Sequence, residues 1–203
     1  MRCRNVAKSF RDKAVLRGVS LVVHTGEAVV LLGGSGSGKS VLLKHLNGLL
    51  RADTGSVEVE GTPIDHLDEE ALVPIRRRVS MLFQQGALFD SLTVGDNVAF
   101  PLREHHMLPE AEIPARIAEA LAMVGLEGTQ RLMPAELSGG MRKRAALARA
   151  LVLEPKVLLY DEPTTGLDPV VAAKINHLIR DLQHRLGVTS VVVTHDLASA
   201  FYV

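Results

Sequence analysis

Ala28-Val29-Val30-Leu31-Leu32-Gly33-Gly34-Ser35-Gly36-Ser37-Gly38-Lys39-Ser40 is the stretch on which the fold turns. Five apolar residues in succession suit a strand covered on both faces, at the centre of a parallel sheet. Gly33 to Ser40 then fits the spacing G-x-x-x-x-G-K-[ST], and a helix is expected from Lys39 to Leu50. The residue types explain one another. Glycines let the backbone curl until successive N–H groups point inward at phosphate oxygens. A helix beginning at Lys39 adds its positive dipole end. From there Lys39 reaches β- and γ-phosphates, and the Ser40 hydroxyl is suited to Mg²⁺. A Gly/Ser run of this kind can also be a flexible linker. The strand before it and the helix after it favour the phosphate reading.

Working outward, Val157-Leu158-Leu159-Tyr160 and Ser190-Val191-Val192-Val193 are equally short and apolar, and read as further buried strands. Asp168-Pro169 looks like a helix cap with proline at the first helical position. Ile175, Leu178, Ile179, Leu182 and Leu186 recur at helical spacing until Gly187 ends the run. Strand, helix and strand in this order imply right-handed crossovers and an α/β core. Val19, Leu21 and Val23, and later Val57 and Val59 between Gly55 and Gly61, alternate as half-buried strands do. From about Leu88 to Leu137 strand signals stop. Pro101, Pro109 and Pro114 punctuate a polar stretch, and Ile117, Leu121 and Val124 mark one amphipathic helix ending at Gly125. This middle reads as a helical insertion within one domain.

The chain has 203 residues, 47% hydrophobic and 23% charged, enough for one domain with a real core. Lys plus Arg equals Asp plus Glu at 23 each, and aromatics are 3% with no Trp. That balance argues against nucleic acid held by bulk positive charge or base stacking. Arg76-Arg77-Arg78 and Arg142-Lys143-Arg144 read as solvated faces. The single cysteine, Cys3, has no disulfide or zinc partner and reads as a bland thiol. His45, His66, His105, His106, His177 and His184 lack ligand spacing, and Met107, Met123 and Met133 read as filler or surface. No apolar run reaches the ~18–20 residues that span a bilayer, and no apolar stretch follows Met1-Arg2-Cys3-Arg4-Asn5 as in a signal peptide. A cytoplasmic location is expected, with any membrane role exercised through a partner.

Two further constellations carry chemistry. The strand ending in Asp161-Glu162 offers one carboxylate for a Mg²⁺ shell, as the second acidic motif of P-loop NTPases does, and another to polarise an attacking water. Ser138-Gly139-Gly140-Met141, opening a helical run from Arg142 to Leu151, combines a hydroxyl with two glycines as a second anion site. Standing alone, it would be an ordinary helix cap.

Together these residues resemble the ATP-binding cassette (ABC) ATPases along essentially the whole chain. The resemblance implies a P-loop NTPase with a RecA-like parallel core, an N-terminal antiparallel β subdomain and a helical insertion at about 88–140 within a single domain, 1–203. It assigns Gly33 to Ser40 to the phosphate loop, Gln84 to the Q-loop and Leu137 to Met141 to the signature loop. It makes Asp161 the magnesium aspartate, Glu162 the catalytic glutamate, Asp168 part of the D-loop and His195 the switch histidine. Phe10 stands where the family places an aromatic against adenine, and Gln84 joins Ser40 and Asp161 around Mg²⁺. The implied cofactors are ATP and Mg²⁺. The implied partners are a second copy, bound head to tail so that Lys39 and Ser138 from different chains act on one ATP, and a transmembrane permease.

The stretches Ser80–Phe89, Asp96–His105 and Leu132–Met141 are most similar to the Mla-type (Mkl or toluene-tolerance) phospholipid-transporter ATPases, which adds a lipid-binding periplasmic partner to the implied set. Met141 in place of the usual signature glutamine fits that group. Small-solute importers share part of Asp96–Leu102 and are the alternative; soluble ABC proteins of translation or DNA repair fit less well. Val41 replaces a common threonine, so its backbone N–H but not its side chain can meet an α-phosphate. Thr165-Gly166 replaces a common Ser-Ala. The chain stops at Val203, eight residues after His195, so a C-terminal part of the usual domain is expected to be missing.

Overall fold

Every residue of the strand Val157–Asp161 is buried, and its side chains divide between two cores. Leu158 and Tyr160 join a cluster with the helices that follow residue 93, whereas Val157 and Leu159 join a cluster with the N-terminal strands and the helix after the glycine loop. The period of two in a strand sends alternate residues to opposite faces, so one apolar run serves both layers.

The computed structural model describes residues 1–203. In chain order the elements are β1 (Arg2–Phe10), β2 (Lys13–Val22), β3 (Ala28–Leu32), α1 (Lys39–Leu46), β4 (Thr54–Val59), β5 (Thr62–Pro63), α2 (Glu69–Arg78), β6 (Val79–Leu82), α3 (Val94–Glu104), α4 (Ile113–Met123), a 3₁₀ turn at Pro134–Glu136, α5 (Gly139–Leu151), β7 (Val157–Asp161), α6 (Pro169–Leu186), β8 (Thr189–Thr194) and α7 (Leu197–Tyr202). One sheet is antiparallel in the order β2-β1-β4-β5; the other has the order β3-β8-β7-β6 with all neighbours parallel. The parallel sheet thus puts the C-terminal ends of β3, β7 and β8, and the loops after them, on one side. No helix is long and apolar enough to cross a membrane.

Several expectations change. The run Ala28–Leu32 does not lie at the centre of its sheet: β3 is an edge strand, paired only with β8, and Leu32 is 48% exposed. Its apolarity reflects cover on both faces at most positions, which a hydrophobic run cannot distinguish from central placement. The first helix ends at Leu46, not Leu50, because Asn47 caps it and Gly48 turns in a left-handed conformation (φ 71°). A Cβ at Gly48 would come within 2.7 Å of Leu72 Cδ2, so the turn also lets α2 approach.

The middle holds two helices before the signature loop, not one. The missed one, α3, is capped by Thr93 and carries Pro101 inside it. Proline forfeits one ladder bond, which hides the helix from sequence reading. Packing supplies the compensation: Val94, Val98, Ala99 and Leu102 are buried against α4 and α5. Asn97, fully buried, accepts from the Phe89 amide at 2.8 Å and donates to the Phe89 and Leu92 carbonyls, which pins the loop ahead of α3.

Candidate functional site

The glycine loop joins β3 to α1, and its conformation explains its composition. Gly36 and Gly38 have φ of 76° and 95°. A Cβ at Gly38 would lie 3.1 Å from Leu16 and Val15 side chains and 3.2 Å from the Val15 carbonyl, so shape and φ both demand glycine. Helix α1 has no side-chain cap. The amides of Gly38, Lys39, Ser40 and Val41 find no partner within the chain. Unsatisfied N–H groups at a helix start, together with the dipole, form a ready anion site. Lys39 folds back over the loop and donates to the carbonyls of Gly33 (2.7 Å) and Gly34 (2.9 Å).

The ends of β7 and β8 meet this loop. Ser40 donates its hydroxyl to Asp161 Oδ1 at 2.6 Å, which brings two oxygen ligands of Mg²⁺ type side by side. Next along, Glu162 is buried with a left-handed backbone (φ 49°), a conformation uncommon outside glycine and asparagine. Its N–H donates to the Val193 carbonyl at 2.9 Å. Its carboxylate is gripped from three sides: His195 Nδ1 lies 2.7 Å from Oε2, the Thr165 hydroxyl donates to Oε2 at 3.0 Å, and Lys39 Nζ stands 3.6 Å from Oε1. Lys39, Ser40, Asp161, Glu162 and His195 are therefore brought together.

The remaining candidates are positioned separately. Phe10, at the end of β1, is 42% exposed, with Lys8 Nζ 5.7 Å from its ring centre. Gln84 has an exposed side chain, while its carbonyl is taken by Lys143. Ser138 caps α5, its Oγ accepting from the Met141 amide at 3.3 Å. Gly140 has a second reason to be glycine: a Cβ there would sit 2.5 Å from Val171 Cγ1 of α6. The cavity that Ser138 lines is completed by residues such as Met123, Gly125, Arg144 and Lys174, none of them from the glycine loop. Asp168 spends its carboxylate on capping α6, accepting from the Val170 and Val171 amides at 3.0 Å.

Two residues at the centre escaped the sequence reading. Thr165, which in sequence only replaces a common serine, donates to the Glu162 carboxylate. Lys143, read as part of a solvated basic face, is buried with its ammonium against the Gln84 and Glu162 carbonyls. Burial pushes its pKa below the usual lysine range, with Asp161 and Glu162 pulling it back up. Of the other basic residues in these clusters, Arg142 stays exposed, while Arg76, Arg77, Arg78 and Arg144 are half-buried. Arg142 donates to the Leu137 carbonyl, Arg144 to Val124 and Gly125, Arg76 to Asn47 and Gly48, and Arg77 to His105. They staple loop carbonyls to helices. The signal available in sequence was position: Lys143 falls on the face of α5 shared with Ala146, Leu147 and Ala150, all buried.

A parallel sheet whose first strand runs into an amide-lined glycine loop, facing a Ser40–Asp161 pair, defines a P-loop nucleotide-binding domain. The ABC transporter family model matches residues 16–165, and the chain belongs to that family. It is similar to the "Probable ribonucleotide transport ATP-binding protein mkl" of Mycobacterium tuberculosis, 49% identical over 95% of this chain and 54% of that one. It is 43% identical to the intermembrane phospholipid transport system ATP-binding protein MlaF of Escherichia coli, over 96% of this chain and 72% of the relative. The methionine import ATP-binding protein MetN of Brucella abortus is 44% identical over 96% of this chain and 52% of its own. Among solved structures, the dimeric post-hydrolysis ATP-binding cassette MJ0796 bound to ADP and Pi superposes with a TM-score of 0.91 at 35% identity, covering 99% of this chain and 90% of that one. The chain spans about half the length of the mycobacterial relatives it matches.

Proposed function

We propose that the chain is the ATP-binding and ATP-hydrolysing subunit of a membrane transporter that moves phospholipid between membranes. The observation that carries the hydrolytic reading is Glu162, buried in a left-handed conformation with its carboxylate between His195 and Lys39. A carboxylate held this firmly is suited to orienting a water for attack. Lys39 would exchange the Gly33 and Gly34 carbonyls for β- and γ-phosphate oxygens. The amides of Gly34, Ser35, Gly36, Ser37 and Gly38 through Val41 would line the remaining phosphate oxygens, and Phe10 would stack on the base. The short Ser40–Asp161 contact is the test of fit for Mg²⁺: two hard oxygen donors already adjoin, and these residues with Gln84 would hold the ion. When bound, the ion neutralises charge developing on the phosphates. His195 would steady the γ-phosphate side of the site.

Ser138, Gly139 and Gly140 lack any link to the glycine loop of their own chain, which supports their acting on a nucleotide bound by a second copy, with Asp168 at the same junction. A permease would supply the membrane attachment, on the cytoplasmic face, and a periplasmic lipid-binding protein completes the transporter in this reading. The relatives' names diverge over cargo, since ribonucleotide, phospholipid and methionine all occur among them. Phospholipid is favoured by the stretches around Gln84, Asn97 and Met141.

The test is purification of the tagged protein from its own membranes with mass spectrometry of proteins and lipids. A permease with bound phospholipid is the expected result, and a permease with a small-solute-binding protein would transfer the assignment to an importer. For the chemistry, Glu162→Gln is expected to keep ATP affinity and lower hydrolysis by about 100-fold or more, with accumulation of an ATP-bound dimer. Normal turnover in that variant would remove Glu162 from the mechanism.

A further inference from the structure

Lysines are rarely buried without a carboxylate partner, because a desolvated ammonium is costly. Lys143 is such a lysine: it is 7% exposed and forms no salt bridge. Its charge is met by two backbone carbonyls from loops far apart in sequence, that of Gln84 after β6 and that of Glu162 after β7, the latter at 3.5 Å. It stands in the second turn of α5, the helix that Ser138 caps. One ammonium therefore joins three parts: the helix behind the signature loop, the backbone that carries Gln84, and the strained backbone of Glu162.

We propose that Lys143 is a positioning residue for ATP hydrolysis, locking the Gln84 loop and the Glu162 backbone to α5 so that the three move as one unit. The inference rests on the hydrolytic reading above. Glu162 adopts a φ that costs about as much as other strained active-site conformations and persists only where its surroundings over-determine it. Its N–H is fixed by Val193, its carboxylate by Thr165 and His195, and its carbonyl by the Thr165 N–H at 3.3 Å together with the Lys143 ammonium. Removing the ammonium leaves that carbonyl with the Thr165 N–H as its remaining partner and loosens the peptide plane between Glu162 and Pro163. It also cuts the one polar link between Gln84 and the glutamate. The residue touches no reacting atom, so its effect must run through the geometry of Glu162 and Gln84.

Lys143→Met keeps the length and apolar stem while removing the ammonium. Its expected signature is a kcat lowered about tenfold or more, with KM for ATP within about twofold. Lys143→Arg, which restores charged donors, is expected to recover most of the rate. Amide exchange in the isolated chain supplies a readout independent of turnover: in Lys143→Met the segments 83–87 and 162–166 should both exchange faster, with β7 and α6 unchanged. If the Met variant keeps wild-type kcat or leaves either segment's exchange unchanged, the proposal is overturned. It is equally overturned if Met and Arg lose activity alike while exchange rises across the whole core, the mark of a merely structural residue. Absence of hydrolysis in the unmodified protein would defeat the ATPase reading instead; the exchange of the two segments would still decide whether Lys143 locks them together.

Discussion

Two helices of this chain have glycines at their start, and their beginnings differ. At α1 no side chain caps the helix, Gly38 is left-handed, and the amides that follow have no partner. At α5 Ser138 supplies a cap, and Gly139 and Gly140 lie against Leu167 and Val171 of the adjacent segment. The first start is an open anion site. The second is already partly satisfied by its own chain, and its glycines also serve packing. Similar compositions thus carry different duties: one loop is shaped for a ligand, the other for a helix contact that leaves the serine hydroxyl exposed at the surface.

This contrast can be broken at its strongest point first. Lys39→Ala removes the cation from the open site, and nucleotide affinity measured by calorimetry is expected to fall by about 100-fold, as for loss of charge-assisted phosphate bonds. Wild-type affinity would mean that the α1 start does not bind phosphate. Next, Gly140→Ala forces a Cβ to within 2.5 Å of Val171 and should cost about 1–3 kcal/mol in chemical denaturation, while leaving the monomer's nucleotide affinity intact. Pairing it with Val171→Ala should return most of that stability; failure to do so would deny the packing role. Ser138→Ala sharpens the comparison further. Loss of the cap should lower stability by about 1 kcal/mol, and ATP-driven dimerisation should weaken while monomer binding holds.

The smallest effect is expected on α3, which belongs to neither glycine loop. Thr93 and Arg103 hold the Asp96 carboxyl below its ordinary pKa. A depressed carboxylate stabilises the fold above its unfolded pKa of ~3.9, and that contribution fades as pH falls through the folded value. Asp96 is half exposed, so Asp96→Asn should cost less than about 1 kcal/mol at neutral pH. The difference from wild type should vanish in strong acid. A pH-independent difference would assign the effect to packing.

Much of the site was readable because its chemistry is encoded in contiguous residues. The phosphate loop, the acidic pair Asp161-Glu162 and the Asp168-Pro169 cap are each local patterns, and helix α6 ends at Gly187 as its spacing predicts. The parts that were not readable depend on partners distant in sequence. Lys143 looks like its neighbours Arg142 and Arg144 until the fold buries it 59 residues away from the carbonyl it binds. Thr165 acquires a role only because Glu162 turns back toward it. Helix α3 escaped notice because Pro101 contradicts local propensity, which burial of Val94, Val98 and Leu102 overrides.

By itself, then, the amino-acid sequence determined the presence of a phosphate loop, a parallel α/β core and the identity of the acids at the end of β7. Those follow from short-range constraints: the φ values open to glycine, the period of a strand, and the donors missing at a helix start. Tertiary structure alone decided that β3 lies at a sheet edge, that two helices precede the signature loop, and that Lys143 belongs to the interior. Strand order and the environment of a charge are set by contacts between distant segments, where the desolvation of one ammonium or the cover on one strand depends on the whole fold.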